Sequence, residues 1–232
     1  MRLKAEALSR KYRGKYALND VRFELNGGDV CLLLGPNGSG KTTLMKLIAG
    51  LVSPSAGEIE LDGESVGTAT KRRIAYMPTE NYFYNYMTVR DAGKYYADFF
   101  ADFDRAAYED CVQRAELPLD GRIRTLSSGM GAKLRLSLAL SRDAGVMMFD
   151  EPINGVDMIT RDWVIDEIAA CRDRDRILLI STHLVEQVEG IANRALFLSH
   201  GELVRAGSLD EVRGERTLED IYREVYGGEA SC

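Results

Sequence analysis

The segment GPNGSGKTT, Gly35 to Thr43, follows the apolar run VCLLL (Val30–Leu34) and leads into KTTLMKLIAGL, an amphipathic stretch that closes on Gly50. A buried strand, a glycine-rich turn and a helix in that order place several backbone N–H groups at one point. Glycines let successive N–H groups turn inward, and the helix beginning near Lys41 adds the positive end of its dipole. The spacing Gly35-x-x-x-x-Gly40-Lys41-Thr42 is that of a loop that cradles a polyphosphate. Gly35, Asn37, Gly38, Ser39, Gly40, Lys41, Thr42 and Thr43 are therefore candidate phosphate contacts. Lys41 is expected to reach the β- and γ-phosphates and to act in catalysis, and Thr42 to ligate Mg²⁺.

Nucleotide hydrolysis needs a second metal-holding carboxylate at the end of another buried strand. VMMFDE (Val146–Glu151) supplies it. Asp150 ends an apolar run expected to pair beside the phosphate-loop strand, as a metal ligand through direct or water contact. Glu151 follows where it could accept a proton from an attacking water.

With 232 residues, the chain is expected to form one domain with subdomains around a substantial core. A formal net charge of −6 argues against a dedicated nucleic-acid binder, which would lean on phosphate neutralisation. The longest apolar runs, VCLLL and ILLI (Ile177–Ile180), are strand-sized, well short of the roughly 18 residues that span a bilayer. The opening MRLKAEALSRKY carries charge where a secretion signal would be apolar. Cys31, Cys111, Cys171 and Cys232 form no C-x-x-C pair, which suits reduced thiols in a cytosol, with Cys31 and Cys171 read as core residues. Cys232 is the last residue printed and makes no prenylation box.

No repeat or low-complexity segment interrupts the chain, and short apolar strands alternate with amphipathic segments in α/β fashion. Residues up to about Asp29 read as short strands, and GEIELDGESV as an exposed strand and turn. From Thr88 to about Leu140 the spacing becomes helical, a helical insert inside a sheet protein. Strands return with VMMFD, ILLIST and ALFLS. In the closing TLEDIYREVY, Thr217 and Asp220 have capping-box spacing.

Further motifs narrow the reading. LSSGM (Leu126–Met130) lies upstream of VMMFDE and resembles the LSGGQ signature of ATP-binding-cassette (ABC) ATPases. PINGVD (Pro152–Asp157) is similar to the D-loop of that family, STHLVEQVE carries His183 where the family has its switch histidine, and Tyr12 matches the aromatic that stacks on adenine. The resemblance covers essentially the whole chain in the family's order, and is nearest to bacterial export-type ATP-binding subunits. It implies an α/β fold: a P-loop NTPase (RecA-like) core with an antiparallel β subdomain (residues 1–86 and 141–215 together), an inserted α-helical subdomain (87–140) and a short C-terminal helix and tail (216–232).

It also implies an ATPase whose two copies dock head to tail, each ATP held between the phosphate loop of one and Ser127 and Gly129 of the other, with Asp157 nearby. His183 would contact the γ-phosphate. ATP and Mg²⁺ are the implied cofactors. The implied partners are an integral membrane permease and an identical or different second cassette, with no nucleic acid expected. The implied location is the cytoplasmic face of the membrane. The tail resembles export-type relatives, pointing towards export. A soluble cassette ATPase acting on nucleic acid or ribosomes, and a nucleotide-gated sensor with slow hydrolysis, are the alternatives.

Three positions depart from the family pattern: Ser128, Met130 and Thr79, the last standing where the Q-loop has glutamine. Threonine is too short for that amide's reach, so a water bridges the gap, Glu80 substitutes, or hydrolysis is slow. The aromatic run NYFYNYM (Asn81–Met87) reads either as packing between subdomains or as part of a groove for a cytoplasmic helix of the permease.

Overall fold

The computed structural model describes residues 1–84, 86–173 and 175–227. The chain opens with two long antiparallel strands, β1 (Arg2–Tyr12) and β2 (Lys15–Asn26). Short strands were expected here because the apolar alternation breaks. The break is a bulge: Ala7 adopts a positive φ, the register shifts between Ala5 and Leu8, and both of those residues stay buried. After β3 (Val30–Leu34) and α1 (Lys41–Ile48), strands β4 (Ala56–Leu61) and β5 (Glu64–Ser65) complete a four-stranded antiparallel sheet in the order β2-β1-β4-β5.

A short helix α2 (Thr68–Lys71) leads to β6 (Ile74–Met77). The insert then folds as α3 (Val89–Phe99), α4 (Arg105–Arg114) and α5 (Ser128–Leu140). Thr88 and Asp91 close a capping box on α3, and Asp104 accepts the N–H groups of Ala106 and Ala107 at the start of α4. Next come β7 (Val146–Asp150), α6 (Met158–Ala170), β8 (Ile177–Thr182), α7 (Val185–Val188), β9 (Arg194–Ser199), β10 (Glu202–Ser208), α8 (Leu209–Arg213) and α9 (Leu218–Tyr226). The capping box read at Thr217 and Asp220 does start α9.

The main sheet has the order β10-β9-β3-β8-β7-β6, parallel except for β10 at one edge. Its inner strands are buried on both faces, which is why they read as unbroken apolar runs. One correction follows. Strand β7 does not pair with β3, because β8 and β9 occupy both sides of β3 and β8 lies between β3 and β7. Register aligns the strand ends all the same: Leu34 sits opposite Thr182, and Asp150 opposite Ser181.

Three cores result. One fills the space between the main sheet, α1 and the antiparallel sheet; a second lies under α6 to α9; a third, built from residues such as Val89, Tyr96, Tyr108 and Leu138, holds the insert together. Trp163, half-buried on α6, packs against both the second and the third. Buried Arg142 also ties insert to core: its guanidinium donates to Asp102 Oδ2 (2.7 Å) and to the Arg72 carbonyl (2.9 Å) and lies 3.8 Å over the Phe100 ring. Cys31 and Cys111 are buried and Cys171 is partly so, and burial raises all three thiols above their ordinary range. Cys232 lies outside the described residues.

Candidate functional site

The carboxyl ends of β3, β6, β7 and β8 carry, in turn, the glycine-rich loop, Thr79, Glu151 and His183. Binding chemistry gathers at that edge in parallel α/β sheets, because each strand there delivers a loop to the same side. The loop itself turns through Gly38 and Gly40, both in the left-handed region (φ +84° and +111°). A cavity of about 320 Å³ above it is lined by Asn37, Gly38, Gly40, Lys41, Thr42 and Thr43, with Thr79, Glu151 and Asn154 opposite. Ser39 is buried, and its hydroxyl has no hydrogen-bond partner among the described residues.

Lys41 is buried, so its ammonium must be compensated. It donates to the carbonyls of Gly35 (2.7 Å) and Pro36 (3.2 Å) and lies 3.3 Å from Glu151 Oε1. The other oxygen of Glu151 lies 3.0 Å from His183 Nδ1. One carboxylate thus stands between a cation and an imidazole. Glu151 has φ +49°, a conformation uncommon for a side-chain-bearing residue. Its N–H anchors it on Ser181, with Oγ 2.9 Å away and the carbonyl 3.1 Å.

Asp150 is buried and doubly restrained. Ser181 Oγ donates to Oδ1 (2.6 Å) and the Tyr76 hydroxyl to Oδ2 (3.0 Å). Burial, reinforced by the Asp150 charge, pushes the Tyr76 phenol well above its ordinary range, so it stays a donor. Thr79 Oγ1 donates to the Asp150 carbonyl (3.0 Å). No motif in the sequence points to Tyr76 or Ser181. A serine within the apolar run ILLIST was the available signal, since a buried hydroxyl needs a partner.

The metal fit can be judged from these donors. Among the described residues no group of three or more His, Cys, Asp or Glu side chains could hold a metal by themselves. One hydroxyl at Thr42 and one oriented carboxylate at Asp150 match an ion that keeps its waters and takes remaining ligands from substrate phosphates, as Mg²⁺ does.

Ser127, Gly129 and Asp157 form a second cluster and do not line that cavity. Ser127 caps α5, accepting from the Met130 N–H (3.2 Å), and Asp157 caps α6, accepting from the Thr160 N–H (2.9 Å) and hydroxyl (2.8 Å). Those bonds from Thr160, backbone first, hold the Asp157 carboxyl below its usual range. Ser128 Oγ donates to the Gly155 carbonyl (3.3 Å). A Cβ on Gly129 would fall 2.9 Å from Thr160 Oγ1, so packing against α6 demands glycine there. Tyr12, at the end of β1, is exposed, with the Arg10 guanidinium 4.6 Å over its ring, and lies outside the cavity lining. Of the aromatic run, Phe83 and Met87 enter the insert core, while exposed Tyr84 and Tyr86 stack on each other at 5.4 Å; Asn85 lies outside the described residues.

Residues 18–154 match the family described as ABC transporter. The chain is 33% identical over 214 residues to the ABC transporter ATP-binding protein YtrB of Bacillus subtilis, covering 90% of this chain and 72% of that protein. It is 31% identical over 228 residues to the Nod factor export ATP-binding protein I of Burkholderia orbicola (95% and 75% covered). Among solved structures, one described as the ATP-binding subunit of an ABC transporter superposes with a TM-score of 0.88 at 26% identity, covering 97% of this chain and 99% of that one. A dimeric ATP-binding cassette in a post-hydrolysis state with ADP and Pi shares the fold (TM-score 0.80, 20% identity, 89% and 98% covered). The aligned strand ends, the loop closed over a buried lysine and these likenesses converge: the chain belongs to the ABC transporter family, as an ATP-binding and ATP-hydrolysing subunit.

Proposed function

We propose that the 35–43 loop binds the phosphates of ATP, that Glu151 is the general base, and that turnover drives a separate membrane permease in the exporting direction. The placement of Glu151 between Lys41 and His183 carries this reading. Lys41 is drawn to the incoming β- and γ-phosphates, which frees Glu151 Oε1 to accept the proton of the attacking water while His183 positions that water at the γ-phosphate. Bound Mg²⁺ supplies neutralisation of the phosphate charge, and Thr42 and Asp150 would hold it, the latter oriented by Ser181 and Tyr76. Tyr12 stacks on the adenine.

A second cassette, identical or different, completes the site by presenting Ser127 and Gly129 with Asp157 beside them, at the positive end of α5. Phosphate charge then bridges the halves, and hydrolysis releases them. Among the described residues no helix is long and apolar enough to cross a membrane, which agrees with a permease on another chain and a peripheral position on its cytoplasmic side. The exposed Tyr84–Tyr86 stack supports a contact of this edge with that partner. Export is supported by the tail and by the Nod factor export relative.

Glu151→Gln keeps the size and hydrogen bonding of the side chain but cannot take a proton. It should bind ATP with near-native affinity, lose at least about a hundredfold in kcat, and accumulate a closed dimer in ATP. Wild-type turnover by this variant would remove Glu151 from the role.

A further inference from the structure

The last described helix reaches the phosphate loop from behind. Tyr226, near the end of α9, is buried, and its hydroxyl lies 3.1 Å from two carbonyls, those of Leu34 and Leu198. Leu34 ends β3, and the next residue is Gly35. A peptide unit is planar, so the Leu34 carbonyl and the Gly35 N–H turn together. A donor that fixes the direction of one fixes the direction of the other. Gly35 has no room to reposition on this side: a Cβ there would lie 2.3 Å from the same Leu198 carbonyl. Both carbonyls that crowd the loop entrance therefore share one phenol.

The helix is placed to hold that position. Leu218 and Ile221 are buried beneath it, the Tyr226 ring stacks on Phe197 of β9 (6.2 Å between centroids) and meets Tyr222 at 4.6 Å. Tyr222 lines a cavity against Pro36, Asn37 and Gly38 on one side and another against His183 on the other. Helix α9 thus lies between the two segments that meet the phosphates.

We propose that Tyr226 is a positioning residue for phosphate binding, through which α9 orients the entrance of the 35–43 loop. It touches no substrate atom. It acts by fixing the peptide unit through which the loop leaves β3, so that the loop is already set before the nucleotide arrives, which lowers the ordering cost of binding. The inference rests on the reading of 35–43 as the phosphate cradle.

Tyr226→Phe removes one oxygen and keeps the ring packing. ATP KM, and ADP Kd by titration, should rise about three- to tenfold with kcat within about twofold, and the Gly35–Gly40 amides should exchange hydrogen faster. A merely structural hydroxyl would lower the unfolding temperature and leave KM, Kd and loop exchange unchanged; that result overturns the proposal. Should Tyr226→Phe fail to fold, Thr217→Ala, which weakens the cap of α9 and keeps the hydroxyl, carries the test. It should shift the same three readouts in the same direction to a lesser degree, and native values in all of them would reject the role. Lys41→Ala separates the two readings: if it binds ADP as the native protein does, the cradle itself is misassigned, whereas loss of binding there with native behaviour in Tyr226→Phe rejects the role of Tyr226 alone.

Discussion

Thr79 ends one methylene and one amide short of the residue usual at its place in the family, and its hydroxyl turns to the backbone carbonyl of Asp150 instead of entering the cavity as a long donor. Tyr76 and Ser181 hold the carboxylate of the same residue. Asp150 is therefore held from three sides without the amide, and under the proposed mechanism the attacking water would be positioned by Glu151 and His183 alone. Thr79→Gln should raise kcat severalfold at saturating ATP and leave ADP affinity close to native. A rate equal to or below the native one in a steady-state ATPase assay would mean that the short side chain costs nothing. Motifs single out Lys41, Asp150 and Glu151 in the sequence, and the structure brings them to one end of the main sheet. The partners of Asp150 were not legible there, because Tyr76 and Ser181 come from different strands and meet it only once the sheet has set their register.

Among the elements, α7 and α9 meet through like charges. The Glu186 carboxyl is held above its ordinary range by its hydrogen bond and charge interaction with Glu219, with Arg223 opposing. Arg223 is itself paired with Glu219. A raised value in the folded state means that this contact contributes fully while Glu186 is protonated and is lost as pH rises through that value. Glu186→Gln keeps a donor at every pH, so its unfolding temperature should pull ahead of the native protein's between mildly acidic and neutral conditions. A constant difference across that range would show that the pair does not matter to stability. Element identity was largely readable here: the capping box at Thr217 and the unbroken runs of β3, β7 and β8 each carry a local cause. Two features had none. The bulge at Ala7 disguises one long strand as two short ones, and strand order depends on which neighbour β3 accepts on each side, information spread over the whole chain.

At the scale of the molecule, the insert and the nucleotide core meet along α5, which sends Leu136 and Ala139 into one cluster and Leu134 and Leu138 into the other. Arg142 is one charged tie between them, Arg114 with Glu167 another, and removing the carboxylate partner of Arg142 leaves a buried guanidinium with the Arg72 carbonyl and the Phe100 ring. Asp102→Ala should therefore cost about 2 kcal/mol, less than a fully buried pair because Asp102 is partly exposed, visible as an earlier midpoint in urea. A midpoint within error of the native one would show that the Asp102–Arg142 pair does not secure the joint.

The same seam holds the chain's single tryptophan, Trp163, with the Lys133 ammonium 5.2 Å from its ring. Indole emission depends on nearby charge and water, and only one fluorophore of this kind contributes to the signal. Any rocking of one body against the other during an ATP cycle changes its surroundings, so the unlabelled protein carries its own optical gauge of that motion, readable by stopped flow without a dye.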